Sequence, residues 1–415
     1  MIQIRRVNYL LKLIIYNIYM STTLQRRIDS SLNVININNL NLIVDHKILG
    51  DTKRFATGFK ALENTNEFNI YKKKIDVIDK VNYDSEILEL YKPLDMKNIM
   101  NKDKDINKFL NISFYGKKLI SVFISSRVIR NIINTLFIKT TYKYNYRTII
   151  IFSSKMLDDT LIKKIDSIFN FFDILTGKEN KYYLEIFLSS KKKFFNKNLD
   201  SIDPDNINSG ATLPGEYIYL WRCEELTKVL IHELVHYLHL DMSRFQNKFK
   251  VLYNDINLEA GMINPNEAYT ELLALFLMSI WSFYYTKFDG ELNEFINKRL
   301  TIELGWSYHQ IAKILKYFEC YSKYEDLFTN NCVFKQNTNV LSYFILKTYF
   351  LQNINMILSK FNFNNLYVTE KISEYILKNT DLRNIQFTEY INNIMKLELN
   401  TNKYDLYSTR MTCLD

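Results

Sequence analysis

Residues 148–152 read Thr-Ile-Ile-Ile-Phe, a β-branched and aromatic run without polar alternation, which predicts a central strand buried on both faces. Apolar positions at 157–172 recur at helical spacing, and short runs at 183–188 and 216–221 predict two further strands, with a loop at 210–214. Upstream, 112–115 and 119–124 flank Gly116 as the arms of a hairpin would, and 128–138 has helical spacing. A helix is expected at 224–241, with Glu224 and Glu225 in its first turn, where acidic groups complement the helix dipole. Beyond 241 the pattern is almost wholly helical, at 267–283, 309–321, 340–358, 370–377 and 387–397. This order predicts an α+β fold, a mixed β-sheet with helices packed on one face, followed by an all-helical C-terminal subdomain. From 20 to about 105 the pattern is weak. The expected organisation is an upstream extension at 1–20, an accessory region at 21–108, an α/β catalytic subdomain at 109–242 and a helical subdomain at 243–415, with a cleft between the last two. No repeat at a solenoid period is present.

The 224–241 segment carries the densest chemistry. Only five histidines occur in the chain, and His232, His236 and His239 fall within eight residues of one another. In His232-Glu233-Leu234-Val235-His236 the two imidazoles stand one helical turn apart, so both rings reach one metal ion from the same face. Glu233 sits beside the first of them, where its carboxylate can take a proton from a water at the metal. His239 projects from a rotated face and is read as a surface or core-edge residue.

Two imidazoles and a water leave a catalytic zinc one protein ligand short. Asn266-Glu267-Ala268-Tyr269-Thr270-Glu271 offers carboxylates to complete the set. The residues admit two readings here, because Asn264, Pro265 and Glu267 also suit the N-cap, N1 and N3 of a helix start. In that case Glu271 or Glu259 would take the metal instead.

With an H-E-x-x-H helix followed by this acidic helix, the chain resembles the gluzincin metallopeptidases, the thermolysin-like branch of the zincins. The resemblance implies a zincin-like fold, a Zn2+ cofactor and a protein or peptide substrate. It implies Glu267 as the third ligand and Glu271 as the carboxylate that fixes His232. It further implies a Tyr or His from the C-terminal half that stabilises the oxyanion, for which Tyr308 and His309 are the candidates. The strand at 216–221 would be the edge strand that pairs with an extended substrate. Two departures stand out: the interval from His236 to Glu267 is longer than in the thermolysin type, and the second acid is Glu rather than Asp. Metzincins are disfavoured, because Met242 stands where their third histidine would. Asn208-Ser209-Gly210, residues 217–222 and Glu224-Glu225 are also similar to uncharacterised H-E-x-x-H proteins of large cytoplasmic DNA viruses, over about residues 205–240 and the Glu267 region.

Composition narrows the setting. A chain of 415 residues with 47% hydrophobic content suffices for one large or two modest domains. Nine glycines and four prolines against abundant Asn, Ile, Lys, Tyr and Phe match AT-rich coding. A net charge of +9 admits nucleic acid or acidic partners, yet Lys and Arg are dispersed, so a solvated surface and no specific nucleic-acid partner are expected. Cys223, Cys320, Cys332 and Cys413 lack metal or framework spacing and predict free thiols in a reducing, cytoplasmic location (host cytoplasm or virion for a viral protein), with Cys223 a small buried residue. Residues 9–20 resemble a signal sequence, but Lys12 and Asn17 interrupt the apolar run, and Met20 is an alternative start. No stretch reaches the ~18 uninterrupted apolar residues of a membrane span. Two other functions fit the composition, an inactive zincin-fold structural or virion-associated protein and a basic nucleic-acid-binding protein with an incidental H-E-x-x-H. The undamaged motif favours a zinc metallopeptidase.

Overall fold

A computed structural model of the chain describes residues 42–45, 48–49, 55, 57, 72–77, 128, 131–132, 135–136, 138–195, 201–242, 256–258, 263–329, 332–361, 363, 366–396 and 408–415. The upstream extension, the hairpin predicted at 112–124 and Glu259 lie outside the described residues.

The fold is mixed α+β around a six-stranded sheet of order β1-β2-β3-β4-β6-β5. β1 (Lys72–Val77), β2 (Ile138–Tyr144) and β3 (Arg147–Ser153) run antiparallel in turn, and Asn145 takes the left-handed backbone (φ 46) that the tight β2–β3 turn requires. The expected central strand is β3, whose Ile149, Ile151 and Phe152 are fully buried. It pairs in parallel with β4 (Tyr182–Phe187) through the crossover helix α1 (Thr160–Thr176). β4 pairs in parallel with β6 (Tyr217–Leu220), and β6 pairs antiparallel with β5 (Gly210–Leu213).

This last pairing corrects two expectations. Residues 210–213 form a strand rather than a loop; the turn is confined to Pro214, Gly215 and Glu216, where Gly215 has φ 73. The strand at 216–221 is therefore interior, and the sheet edge nearest the following helix belongs to β5.

That helix, α2 (Leu226–Tyr237), is shorter than 224–241. Glu225 stands at its N-cap with a left-handed backbone, so Glu224 and Glu225 precede the first turn instead of charging it. Residues 128, 131, 132 and 135 are helical as expected, but Ile138 already belongs to β2.

The helical half is built on α3 (Pro265–Tyr285), which is buried on every side and packs against α2. α4 (Leu292–Tyr317) follows as one continuous helix, although the pattern placed a start at 309. One glycine in a helix interior costs only ~1 kcal/mol. Gly305 does not end this helix, because Leu300, Leu304, Tyr308, Ile311 and Leu315 on either side of it are fully buried. The predicted helix at 340–358 runs without a break through a π-helical turn at Ser342–Leu346 into α5 (Lys347–Gln352), is interrupted at Asn353 and resumes as a short turn at Ile354–Ile357. α6 (Glu370–Lys378) and α7 (Ile385–Lys396) match their sequence signals closely.

Cys320 and Cys332 form a disulfide, with Cα atoms 5.9 Å apart, and Cys223 is exposed, so the reading of four free thiols with a buried Cys223 does not hold. No described helix is long and apolar enough to cross a membrane.

Candidate metal centre

α2 lies between the sheet and α3, in contact with β5, β6 and α3. Its apolar residues Leu230, Ile231, Leu234 and Val235 are fully buried, which fixes the rotation of the helix and sets His232 and His236 towards Glu267 and Glu233 towards β5. Opposite them stands the N-terminus of α3. Asn264 caps this helix by accepting the Asn266 N–H at 3.1 Å, and Pro265 takes N1, as the helix-start reading expected. Glu267 at N3 turns instead to the histidines.

Three ligand atoms converge. His232 Nε2 and His236 Nε2 are 3.1 Å apart, and Glu267 Oε2 lies 3.5 Å from the first and 3.6 Å from the second. A tetrahedral zinc with ligands at about 2.0–2.1 Å separates them by about 3.3–3.4 Å, so the triangle has the size such an ion needs. His232, His236 and Glu267 form the single metal-competent group found among the described residues.

Each imidazole is held from behind. Glu271, one turn after Glu267, brings Oε1 to 2.8 Å from His232 Nδ1 and is itself gripped by Lys228 Nζ, with both side chains at most 1% exposed. Asp241 contacts His236 Nδ1. It is delivered there by the end of α2: His239 adopts a left-handed backbone (φ 56), and the Leu240 N–H bonds back to Val235 O at 2.9 Å. Asn266 completes the clamp, accepting the Met242 N–H at 2.6 Å and donating to Asp241 at 3.4 Å. Burial opposes charge throughout this cluster. Attraction prevails over it, holding the Glu267 and Glu271 carboxyls well below the usual range and the two imidazoles above theirs. Replacing Asp241 with alanine is expected to weaken Zn2+ binding by about 10- to 100-fold, read by competition with a chromogenic chelator.

Glu233 is not one of the converging groups. It is 6% exposed, and burial above all lifts its carboxyl above the ordinary glutamate range. Its Oε2 accepts from Thr212 Oγ1 at 2.7 Å, and Gly210 passes so close that a Cβ there would lie 2.5 Å from Oε1. The edge strand β5 thus sits directly on the Glu233 carboxyl.

Tyr308 and His309, expected near the site, belong to the interior of α4. Tyr308 donates to Gln352 Oε1 at 2.7 Å and packs against Phe387 and Tyr390. His309 lies beside Trp306, its pKa pushed down to about 3 by burial and then by Lys313 and Lys316. Tyr343, from the π-helical turn, stands near the cluster instead. Its ring centroid is 6.4 Å from that of His232, and burial, then Glu267, Glu271 and Glu233, push its phenol well above the usual value. Ser342 beside it accepts the Asn264 N–H at 2.6 Å, tying this turn to the start of α3. His239 is exposed, as its place at a rotated face suggested.

Sequence reasoning missed Asp241, Thr212, Lys228 and Tyr343. Asp241 and Lys228 flank the H-E-x-x-H at short range and had a signal, an acid just past the helix and a lysine one turn before His232. Tyr343 and Thr212 had none, because only the tertiary fold brings them to the histidines.

No protein-family model matches the chain, and no solved structure matches it. The chain is similar to the uncharacterized protein R210 of Acanthamoeba polyphaga mimivirus, with 27% identity over 218 residues. That similarity covers 50% of this chain and 55% of that protein, so the chain spans about half the length of the curated relative it matches.

Proposed function

We propose that the chain is a zinc metallopeptidase of zincin-like, gluzincin type that hydrolyses peptide bonds in a protein or peptide substrate. The observation that carries this reading is the triangle of His232 Nε2, His236 Nε2 and Glu267 Oε2, with edges of 3.1, 3.5 and 3.6 Å beside a buried, hydrogen-bonded Glu233. Bound zinc would supply a Lewis acid that polarises the scissile carbonyl and acidifies the attacking water. Glu233 takes one proton from that water as its oxygen bonds to the carbonyl carbon, and passes the proton to the amine as the C–N bond breaks. Its raised pKa suits both halves of this transfer. We assign oxyanion stabilisation to the Tyr343 phenol, whose ring centroid lies 6.4 Å from that of His232. The outer edge of β5 offers backbone groups to an extended substrate next to Glu233. The similarity to a mimivirus protein supports a viral setting.

Elemental analysis of the purified chain, with casein hydrolysis assayed with and without EDTA, tests the reading. One zinc per wild-type chain and EDTA-sensitive cleavage are expected, with Glu267→Ala losing most of its zinc. A metal-free wild type, or full zinc retained by Glu267→Ala, would overturn it. Stoichiometric zinc without cleavage of any protein substrate would assign the chain to an inactive zincin-like protein.

A further inference from the structure

We infer that residues 408–415 form a strap that sets the metal centre by capping α2 and bracing Lys228, an inference that rests on reading His232, His236 and Glu267 as metal ligands. The helix needs an external cap. It starts on Glu225, whose backbone is left-handed and whose side chain bonds no N–H of its own first turn. The N–H of Lys228, at N3, instead donates to Asp415 Oδ2 at 3.0 Å, from a residue 187 positions along the chain. The Glu225 carboxylate is turned the other way, accepting the Thr412 N–H at 2.6 Å and Lys193 Nζ at 2.7 Å.

Lys228 passes this restraint to the site. Its backbone is held by Asp415 and its Nζ holds Glu271, which faces His232 Nδ1. Three consecutive contacts therefore connect the strap to a ligand ring. They matter because the tautomer and orientation of His232 depend on the carboxylate behind it.

The strap is anchored on its far side to the helical half. Glu303 of α4 accepts Thr412 Oγ1 at 2.8 Å and the Cys413 N–H at 3.1 Å, and pairs with Lys347 of α5 at 3.2 Å. Lys347 in turn donates to Met411 O at 3.2 Å. Thr409 and Thr412 are fully buried. Unseating the strap would leave Glu225 and Glu303 as buried carboxylates short of donors, so the seated position is strongly specified. The strap thus joins the helix that carries both imidazoles to the subdomain behind the third ligand, and a fully formed centre requires it to be in place.

The test uses the full chain with Asp415→Ala, Asp415→Asn and Thr412→Val. Zn2+ affinity is measured by chelator competition, amide hydrogen exchange over 226–237 by mass spectrometry, and global stability by thermal unfolding. Asp415→Ala and Thr412→Val are expected to speed exchange in the first turn of α2 and to weaken zinc binding by about two- to thirtyfold, the range that loss of a helix cap gives. Asp415→Asn, which caps equally well, is expected to behave as wild type. Zinc affinity and exchange over 226–237 left at wild-type values in both disrupting variants, whatever happens to thermal stability, would overturn the inference. A wild-type chain that takes up no zinc would instead overturn the metal reading, and exchange would still report whether the strap holds α2.

Discussion

Glu233→Gln is expected to lower peptide hydrolysis by about 10²- to 10⁴-fold while zinc content stays at the wild-type level. The separation of the two effects follows from the geometry. Glu233 is not among the three converging atoms, so its loss removes no ligand. Glutamine has the same shape and keeps an oxygen for the Thr212 hydroxyl, now 2.7 Å from Oε2, so the buried contact survives. What disappears is the ability to carry a proton from water to amine. His232→Ala gives the contrasting result, loss of both zinc and activity, because it removes one corner of the triangle. Steady-state rates on casein alongside elemental analysis of both variants check the pair. A Glu233→Gln variant with wild-type turnover would show that the base lies elsewhere.

The second large effect is expected from a substitution that replaces neither a proposed ligand nor the proposed base. Gly210→Ala should reduce turnover by about a hundredfold with zinc retained, the loss that a displacement of about 1 Å produces in a positioned catalytic group. An added Cβ would meet Glu233 Oε1 at 2.5 Å, Glu233 Cδ at 2.9 Å and Val229 Cγ1 at 2.8 Å. β5 is held by its pairing with β6, so the Glu233 carboxylate and the Val229 side chain, both on α2, are the groups that give way. Movement of the carboxylate breaks the Thr212 hydrogen bond and displaces the proposed base. The readout is a fall in kcat at unchanged zinc stoichiometry. A variant with normal kcat would mean that Glu233 does not need the position in which β5 holds it.

The H-E-x-x-H helix and its two histidines were legible in the chain because local periodicity and fixed spacing encode them, whereas Glu267 was singled out only by the resemblance to the gluzincins, the residues themselves leaving Glu271 and Glu259 open. β3, α1, β4, β6, α3, α6 and α7 were legible from local sequence as well, each being a compact apolar run or a segment of one period. What failed depended on partners distant in sequence. Residues 210–213 looked like a loop because Gly and Pro punctuate them, yet Gly210 is there to let a strand pass over Glu233. Tyr308-His309 looked like a helix entry after Gly305, but burial of the residues around that glycine carried the helix through. Tyr343 was one apolar position in an expected straight helix, and a π-helical turn places it near His232. Residues 408–415 gave no periodic signal, since their order comes from bonds to Glu225, Glu303 and Lys228.

α3 carries Glu267 and Glu271 on its first two turns, with side chains enclosed along nearly its whole length. A rod wedged in this way can neither roll nor slide without opening voids in the interior, and tightly packed cores resist that strongly. The two carboxylates are therefore fixed by the same packing that makes the rest of the protein solid. If the proposed ion binds, it would meet a receptacle whose shape predates it, unlike small domains that must condense around their metal. Occupancy would then rise and fall with metal supply while the backbone stays where it is.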